Sequence, residues 1–309
     1  MDRYDWDGDW ASFPEMPGRP GWAHHGVAVL DDDRVVLAHP ADARILVYLP
    51  DGTLDRAFKL DIHEAHGITA DGNALWIADI GCKADPAANY ADGPLHPGRV
   101  LKVSLEGEIL LVLPTPDRPE YGTGRYMPTS VSVNRANGDV WVADGYGMNL
   151  VHRFDRSGRP LSTLDGFSCP HAVFVDRGRV LVADRSNRRI RVFDAEGEPL
   201  KTFGEDVLLS PSNFCKIGDR LVVGELHARL AVFDRQDRHL GFLGENPPIC
   251  ATEGWPNRKR ADGALERIGG LEKGRFNAPH GLAADSKGNL YVSEWMIGGR
   301  LTRLSRIPA

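Results

Sequence analysis

The sequence contains few cysteines and no long hydrophobic run. Its 309 residues include four cysteines, none of them in a CxxC spacing, which argues against a disulfide framework and against a thiolate zinc site. No run of roughly 18 apolar residues is present, so we expect no membrane-spanning helix. The segment MDRYDWDGDWASF carries acids and tryptophans where a secretory signal needs a basic end and an apolar stretch. We therefore expect a cytoplasmic protein with no membrane partner.

The sequence also lacks a surplus of positive charge. Lys and Arg total 37 against 43 Asp and Glu, which gives a formal net charge of −6. Nucleic-acid partners are disfavoured because phosphate contacts need local Lys and Arg. The basic clusters at 185–191 and 258–260 are interpreted as solvated faces and salt bridges. We expect a small-molecule substrate, one that carries a carboxylate if Arg185 binds it.

What the sequence has in abundance is a repeat. AHGITADGNALWIAD (65–79), PHAVFVDRGRVLVAD (170–184) and PHGLAADSKGNLYVSE (279–294) each predict two short strands joined by a turn. Three further copies begin at residues 25, 129 and 212. Another β-rich run follows each copy, and polar turns such as Asp51-Gly52 precede the next strand where there is one. This pattern predicts four-stranded blades repeated every ~40 to 45 residues, and therefore a six-bladed all-β propeller in one domain spanning 1–309.

Three insertions interrupt the repeat, at 81–97, 115–126 and 243–275. Inserted loops on one rim of a repeat protein commonly build the binding face. The longest one lies between blades 5 and 6 and carries Trp255, which we consider as an anchor over the channel mouth.

The sixth blade has only three strands in the sequence that follows the last repeat. We predict that part of residues 1–21, which contain Trp6, Trp10 and Phe13, pairs onto this blade and closes the ring.

Three histidines, His66, His171 and His280, occupy one column of the repeat in blades 2, 4 and 6. The first strand of each blade lines the central channel, so these side chains should converge about 120° apart. Three neutral imidazoles on one point leave the fourth position of a tetrahedral zinc open, as in catalytic sites. We predict a Zn²⁺ site, although iron, manganese, cobalt or copper would also suit these ligands.

His25 fills the same column in blade 1, but it adjoins His24 and is predicted to support the site without binding the metal. The strand ends form a second column of His39, Asp79, Asp144, Asp184, Glu225 and Glu294. Most of these side chains are expected to cap backbone groups or to pair with arginines. Glu225 and His227 are reserve candidates for acid–base work at the channel mouth.

The strings YVSEW, VADRSNRRIRVF and PHGLAADSKGNLYV resemble NHL repeats, and the histidine-bearing blades resemble the catalytic core of peptidyl-α-hydroxyglycine α-amidating lyase. In that family, zinc on three histidines of a six-bladed propeller cleaves an N-acyl α-hydroxyglycine to an amide and glyoxylate. The resemblance implies that His66, His171 and His280 are zinc ligands. It further implies that Tyr146 is the active-site tyrosine and that Arg185 lies near the site.

The sequence departs from that family at three positions. Pro40 stands where the family has a catalytic arginine, and Gly281 stands where it has a calcium-binding aspartate. Gly147 replaces a disulfide cysteine. These departures make calcium doubtful and suggest a relative that acts on another substrate.

Three functions remain open at this point. A metal-dependent lyase would cleave the C–N bond of an N-substituted α-hydroxy acid or carbinolamide, with Tyr146 as base or acid and Arg185 on a substrate carboxylate. A metal-dependent hydrolase would act on a small ester, lactone or amide. A non-catalytic NHL scaffold would bind another macromolecule.

Overall fold

Six four-stranded antiparallel sheets make up the computed structural model, which describes residues 2–15 and 18–308. The innermost strands of successive blades contact one another in ring order, and that of blade 6 contacts that of blade 1. The predicted six-bladed propeller is confirmed.

Blades 1 to 3 each use four strands that follow one another in the sequence. Blade 1 consists of Val27–Val29, Val35–Ala38, Arg44–Tyr48 and Leu54–Lys59. Blade 2 consists of Ala65–Asp71, Ala74–Asp79, Arg99–Ser104 and Ile109–Leu113. Blade 3 consists of Ser130–Val133, Val140–Asp144, Leu150–Phe154 and Pro160–Leu164.

Blades 4 and 5 follow the same order, whereas blade 6 takes its outermost strand from the N-terminal segment. Blade 4 consists of Pro170–Asp176, Arg179–Asp184, Arg189–Phe193 and Pro199–Phe203. Blade 5 consists of Pro211–Ile217, Arg220–Glu225, Arg229–Phe233 and His239–Leu243. Blade 6 consists of Pro279–Ala284, Leu290–Glu294, Leu301–Ile307 and Arg3–Asp7.

Short elements occupy the rims. Two-residue strands pair as Trp22–Ala23 with Met296–Ile297, Ala84–Asp85 with Ala91–Asp92, and Arg258–Lys259 with Leu265–Glu266. Single turns of 3₁₀ helix are found at Pro86–Ala88, Pro119–Gly122, Arg185–Asn187 and Pro247–Ala251. Among the described residues, no helix has the length and apolar character needed to span a membrane.

The hydrophobic core is divided into six clusters, one between each pair of neighbouring blades. The middle strands are buried on both faces because each face packs against an adjacent blade, as in Val35–Ala38. The outermost strands, such as Leu54–Lys59, are largely exposed. This arrangement places every inner strand firmly and fixes the residues at its start around the channel.

The N-terminal segment packs across the junction of blades 6 and 1. Arg3–Asp7 pairs antiparallel with Leu301–Ile307, and the Trp6 ring lies 4.7 Å from that of Phe276. Trp10 is buried, with its ring 5.8 Å from that of Tyr48 in blade 1 and 5.0 Å from that of Tyr291 in blade 6. Residues 1, 16 and 17 of the predicted closing segment lie outside the described residues.

The insertion at 81–97 folds over blade 2 and contacts the long insertion at 243–275. The Asn89 side chain accepts a hydrogen bond from the Leu265 N–H at 2.8 Å and donates to the Gly263 carbonyl at 3.2 Å. The two insertions therefore support one another on the same rim.

Candidate active site

Buried carboxylates at the ends of the second strands fix the start of the inner strand in blades 2 to 6. Five blades carry such an acid, and each accepts backbone N–H groups from the loop that leads into the inner strand of its own blade. The pairs are Asp79 with Glu64, Asp144 with Met127, Asp184 with Ser168, Glu225 with Ser210, and Glu294 with Ala278. The prediction that these acids cap backbone groups is confirmed.

Glu225 has little capacity left for acid–base chemistry in this arrangement. Its carboxylate accepts from the N–H groups of Leu209 and Ser210 and from the Arg229 guanidinium. His227 lies with its ring 5.9 Å from that of Trp255 and has no contact with the channel histidines among the described residues. The structure therefore brings neither reserve candidate to the site.

His66, His171 and His280 stand at the starts of the inner strands of blades 2, 4 and 6, and all three are buried. Their ring centroids lie 4.6 to 5.2 Å apart. The repeat column thus brings the three rings together around the channel axis, but the described residues whose ligand atoms all lie within 4.8 Å of one another are His24, His66 and His280.

Each of these imidazoles is oriented by a backbone carbonyl of the following blade. The Nδ1 atom of His66 lies 2.6 Å from the Thr129 carbonyl oxygen, and that of His171 lies 2.7 Å from the Ser212 carbonyl oxygen. For His280 the partner is the His25 carbonyl oxygen at 3.2 Å. Since a carbonyl only accepts, Nδ1 carries the proton in each neutral ring, and Nε2 presents a lone pair to the centre.

Burial keeps these rings neutral. Desolvation lowers the pKa of His280 to about 4, and it lowers the pKa values of His66 and His171 well below 6.5. The positive charge of Arg185 adds to the effect on His171. The Nε2 atoms of His66 and His280 face each other at 3.2 Å. Two lone pairs at that distance repel unless a cation lies between or beside them, so the donor set fits a transition metal.

His24 joins this cluster, which the sequence reasoning missed. One ligand atom each from His24, His66 and His280 lie within 4.8 Å of one another. The His24 ring centroid is 4.5 Å from that of His66 and 4.8 Å from that of His280. The only signal for it in the sequence was the doublet His24-His25, of which the repeat column selected the second residue.

The His25 ring packs edge-on against Phe13, with ring centroids 5.9 Å apart, and its Nδ1 atom lies 3.2 Å from the Gly26 carbonyl oxygen. Its backbone carbonyl nevertheless accepts hydrogen bonds from His280 Nδ1 and from the Ser293 hydroxyl at 3.0 Å. His25 therefore supports His280 through its main chain.

Tyr146 lies directly over the histidines. Its hydroxyl is 3.1 Å from Nε2 of His171, 3.2 Å from Nε2 of His24 and 3.4 Å from Nε2 of His66. Asp144 holds the loop that carries Tyr146, because its carboxylate accepts the Met148 N–H at 2.7 Å. Burial raises the pKa of Tyr146 to about 12, so the phenol is protonated at neutral pH.

Arg185 contacts Tyr146. Its guanidinium lies 5.4 Å from the centre of the Tyr146 ring, and Nη1 is 3.4 Å from the hydroxyl. The neighbouring Asp184 is paired with Arg189 at 2.8 Å. Arg185 thus lowers the cost of ionising Tyr146 and gives the cluster a fixed positive charge on one side.

The histidine cluster separates two cavities. The channel cavity, about 270 Å³, lies along the inner strands and reaches His66, His171 and His280. The mouth cavity, about 320 Å³, lies above the cluster and is lined by Trp22, Tyr90, Trp295, Lys83, His24 and Tyr146 among others. The 243–275 insertion does not line the mouth cavity within the described residues. Its Trp255 packs behind Trp295, with ring centroids 6.1 Å apart.

Two departures from the amidating-lyase pattern have local structural reasons. A Cβ at Gly281 would lie 2.5 Å from the Ser293 hydroxyl oxygen and 2.7 Å from the His25 carbonyl oxygen, so no side chain fits there. At Gly147 a Cβ would overlap the Asp144 carboxylate and the Arg125 carbonyl. Both positions require glycine because neighbouring backbone approaches closely.

Comparisons with known proteins agree with this architecture. Residues 126–154 and 167–193 match the NHL repeat family. The structure is similar to that of a streptogramin B lyase, with a TM-score of 0.63 at 12% identity over 98% of both chains, which supports the fold alone.

Among curated proteins, the chain is 26% identical over 148 residues to a probable peptidyl-α-hydroxyglycine α-amidating lyase of Caenorhabditis elegans, covering 42% of this chain and 37% of that protein. It is 31% identical over 278 residues to NHL repeat-containing protein 3 of Homo sapiens, covering 81% of this chain and 70% of that protein. The chain therefore belongs to the family of NHL repeat-containing protein 3.

Proposed function

We propose that this protein is a metal-dependent lyase that cleaves the C–N bond of an N-substituted α-hydroxy acid. The observation that carries the proposal is the convergence of the imidazole rings of His66, His171 and His280, with the Tyr146 hydroxyl 3.1 Å from Nε2 of His171 and 3.4 Å from Nε2 of His66. A donor set of this kind together with a proton donor is what collapse of a carbinolamide requires.

The three column histidines would hold the metal, and His24 is near enough to contact it or its remaining ligand. Zinc is favoured by imidazole ligands, and when bound it would polarise the substrate hydroxyl and lower its pKa. The carbonyls of Thr129, Ser212 and His25 keep the imidazoles in the tautomer that binds a cation.

Tyr146 would move the proton. As the substrate hydroxyl loses its proton, the C–O bond becomes a carbonyl and the electron pair of the C–N bond leaves with nitrogen. The departing nitrogen needs one proton, and the protonated phenol of Tyr146 can donate it. In the same step the phenol oxygen takes up the proton that the substrate hydroxyl loses, so Tyr146 relays one proton from the hydroxyl to the departing nitrogen and ends as a neutral phenol. Arg185 stabilises negative charge on the phenol oxygen in between.

The relatives support the same reaction class. One of them is named as a probable peptidyl-α-hydroxyglycine α-amidating lyase, and its substrate is an N-acyl α-hydroxy acid by name.

The test begins with metal content, measured by elemental mass spectrometry on tag-free wild type, His171→Ala and the control His96→Ala. His96 is an exposed rim residue stacked on His63. We expect about one equivalent of zinc or another transition metal in the wild type and control, and loss in His171→Ala. Wild type that is metal-free and takes up no added zinc would reject the proposal. Glyoxylate release from N-acyl α-hydroxyglycines is the second measurement. A metal-loaded wild type that releases no glyoxylate would reject the lyase reaction, but it would not reject the metal site.

A further inference from the structure

Lys83 lies in the mouth cavity, on the 81–97 insertion of blade 2. Its ammonium is 2.7 Å from Oε2 of Glu64, a residue that is only 3% exposed. Lys83 itself is 19% exposed. The insertion thus brings one cation to the wall of the cavity that opens onto the histidine cluster.

The Lys83 ammonium has N–H donors that the Glu64 carboxylate does not use. It carries three N–H groups, and among the described residues it has one hydrogen-bond acceptor, the Glu64 carboxylate. The remaining donors are available to a group that enters the cavity.

Arg185 is not available for the same task. Its guanidinium lies over the Tyr146 ring and is not part of the mouth-cavity wall. Asp92 lines the cavity too, but it is an exposed residue where water and salt screen its charge. Among the described residues that line the cavity, Lys83 is therefore the side chain with a fixed positive charge that a ligand meets.

The rest of the wall is aromatic. Trp22 lies with its ring 5.3 Å from that of Trp295 and 5.9 Å from that of Tyr90. These faces suit an acyl or aromatic group, whereas the ammonium suits a compact anion.

We propose that Lys83 is the specificity-determining residue of the site, and that it binds the carboxylate of an acid whose N-acyl group packs on Trp22, Tyr90 and Trp295. This inference rests on the proposed function, since it assigns recognition of the substrate within the same site. It replaces the sequence-based assignment of the carboxylate to Arg185.

The test compares two unreactive ligands of nearly equal shape, N-benzoylglycine and N-benzoylglycinamide, by isothermal titration calorimetry on the zinc-supplemented full chain. One has the carboxylate and the other has a neutral amide in its place. Wild type should bind the acid about tenfold or more tightly than the amide, the value of one charge-assisted hydrogen bond. Lys83→Met should bind both about equally, and Lys83→Arg should keep the preference.

Two further variants test whether loss of the preference in Lys83→Met has a cause other than loss of the ammonium. Removing Lys83 leaves the Glu64 carboxylate buried without its cation, so Lys83→Met is also made together with Glu64→Gln. Lys102→Met is the matched control, because Lys102 also pairs with a carboxylate, that of Asp71 at 2.8 Å, but does not line the mouth cavity. It should keep the wild-type preference.

The outcomes separate the two proposals. A preference for the acid that survives in both Lys83→Met variants would overturn the role of Lys83. Equal binding of the two ligands by wild type would overturn it as well, while leaving the lyase proposal in place. Binding of neither ligand by zinc-loaded wild type would overturn both this inference and the proposed substrate class.

Discussion

Replacement of Tyr146 by phenylalanine removes one oxygen atom from the centre of the site and should reveal what that oxygen does. The hydroxyl lies 3.1 to 3.4 Å from three imidazole nitrogens and 3.4 Å from Nη1 of Arg185. Burial raises the pKa of Tyr146 to about 12, which favours the protonated phenol. A positioned acid or base contributes about 10²- to 10⁴-fold in rate, or roughly 3 to 5 kcal/mol of activation free energy.

We therefore expect Tyr146→Phe to lower kcat for glyoxylate release by about 10²- to 10⁴-fold, with KM within about threefold of wild type and the metal content unchanged. Tyr126→Phe is the control, because the Tyr126 hydroxyl is buried and has no hydrogen-bond partner among the described residues. It should leave kcat unaltered. A Tyr146→Phe enzyme that carries its full complement of metal and keeps more than about a third of wild-type kcat would refute the proton-transfer role.

Two predictions concern stability. Trp10→Ala should lower the free energy of unfolding by about 3 to 5 kcal/mol in urea titrations, because the indole is 6% exposed and packs between Tyr48 and Tyr291. The exposed Leu54→Ala should change it by less than about 0.5 kcal/mol, and similar small losses for both variants would contradict the packing argument. Burial lowers the pKa of His152 to about 4. Between about pH 6.5 and pH 4 the unfolded chain therefore binds a proton at His152 more readily than the folded protein does. The free energy of unfolding is thus undiminished by His152 above about pH 6.5 and declines as the pH falls toward 4. His152→Gln should remove about 2 kcal/mol of the stability difference between pH 7 and pH 5, and an unchanged difference would show that His152 is not the titrating group.

The fold could be predicted because the sequence repeats. Strand alternation, turn residues and repeat period agree in each blade. Because the same pattern occurs six times, an uncertain strand in one copy is identified from the other copies. The three column histidines could be located for the same reason, since one repeat position maps onto one place around the channel. Asp144 and Glu294 each accept a backbone N–H group in their own blade, and this common role also follows from their position in the repeat.

The remaining parts of the site have no repeat partner. His24 lies in the connection before the inner strand of blade 1, where the column selected its neighbour. Lys83 and Tyr90 come from an insertion, and their place in the mouth cavity depends on how that insertion folds back over the rim. Trp255 was expected at the mouth but supports Trp295 from behind. Such positions are set by tertiary packing between segments far apart in sequence, which a local pattern does not encode.

The strand Arg3–Asp7 has a consequence for biosynthesis. Its pairing partner, Leu301–Ile307, is synthesised about 300 residues later. At roughly 5 to 20 residues per second, the strand waits on the order of 15 to 60 s without its partner. An unpaired strand invites pairing with other nascent chains, and charge is a common protection against this. Four acids lie in or beside this strand, Asp2, Asp5, Asp7 and Asp9, and would repel the same segment of a neighbouring copy. Removal of these charges would therefore expose the closing strand to pairing with other chains during this interval.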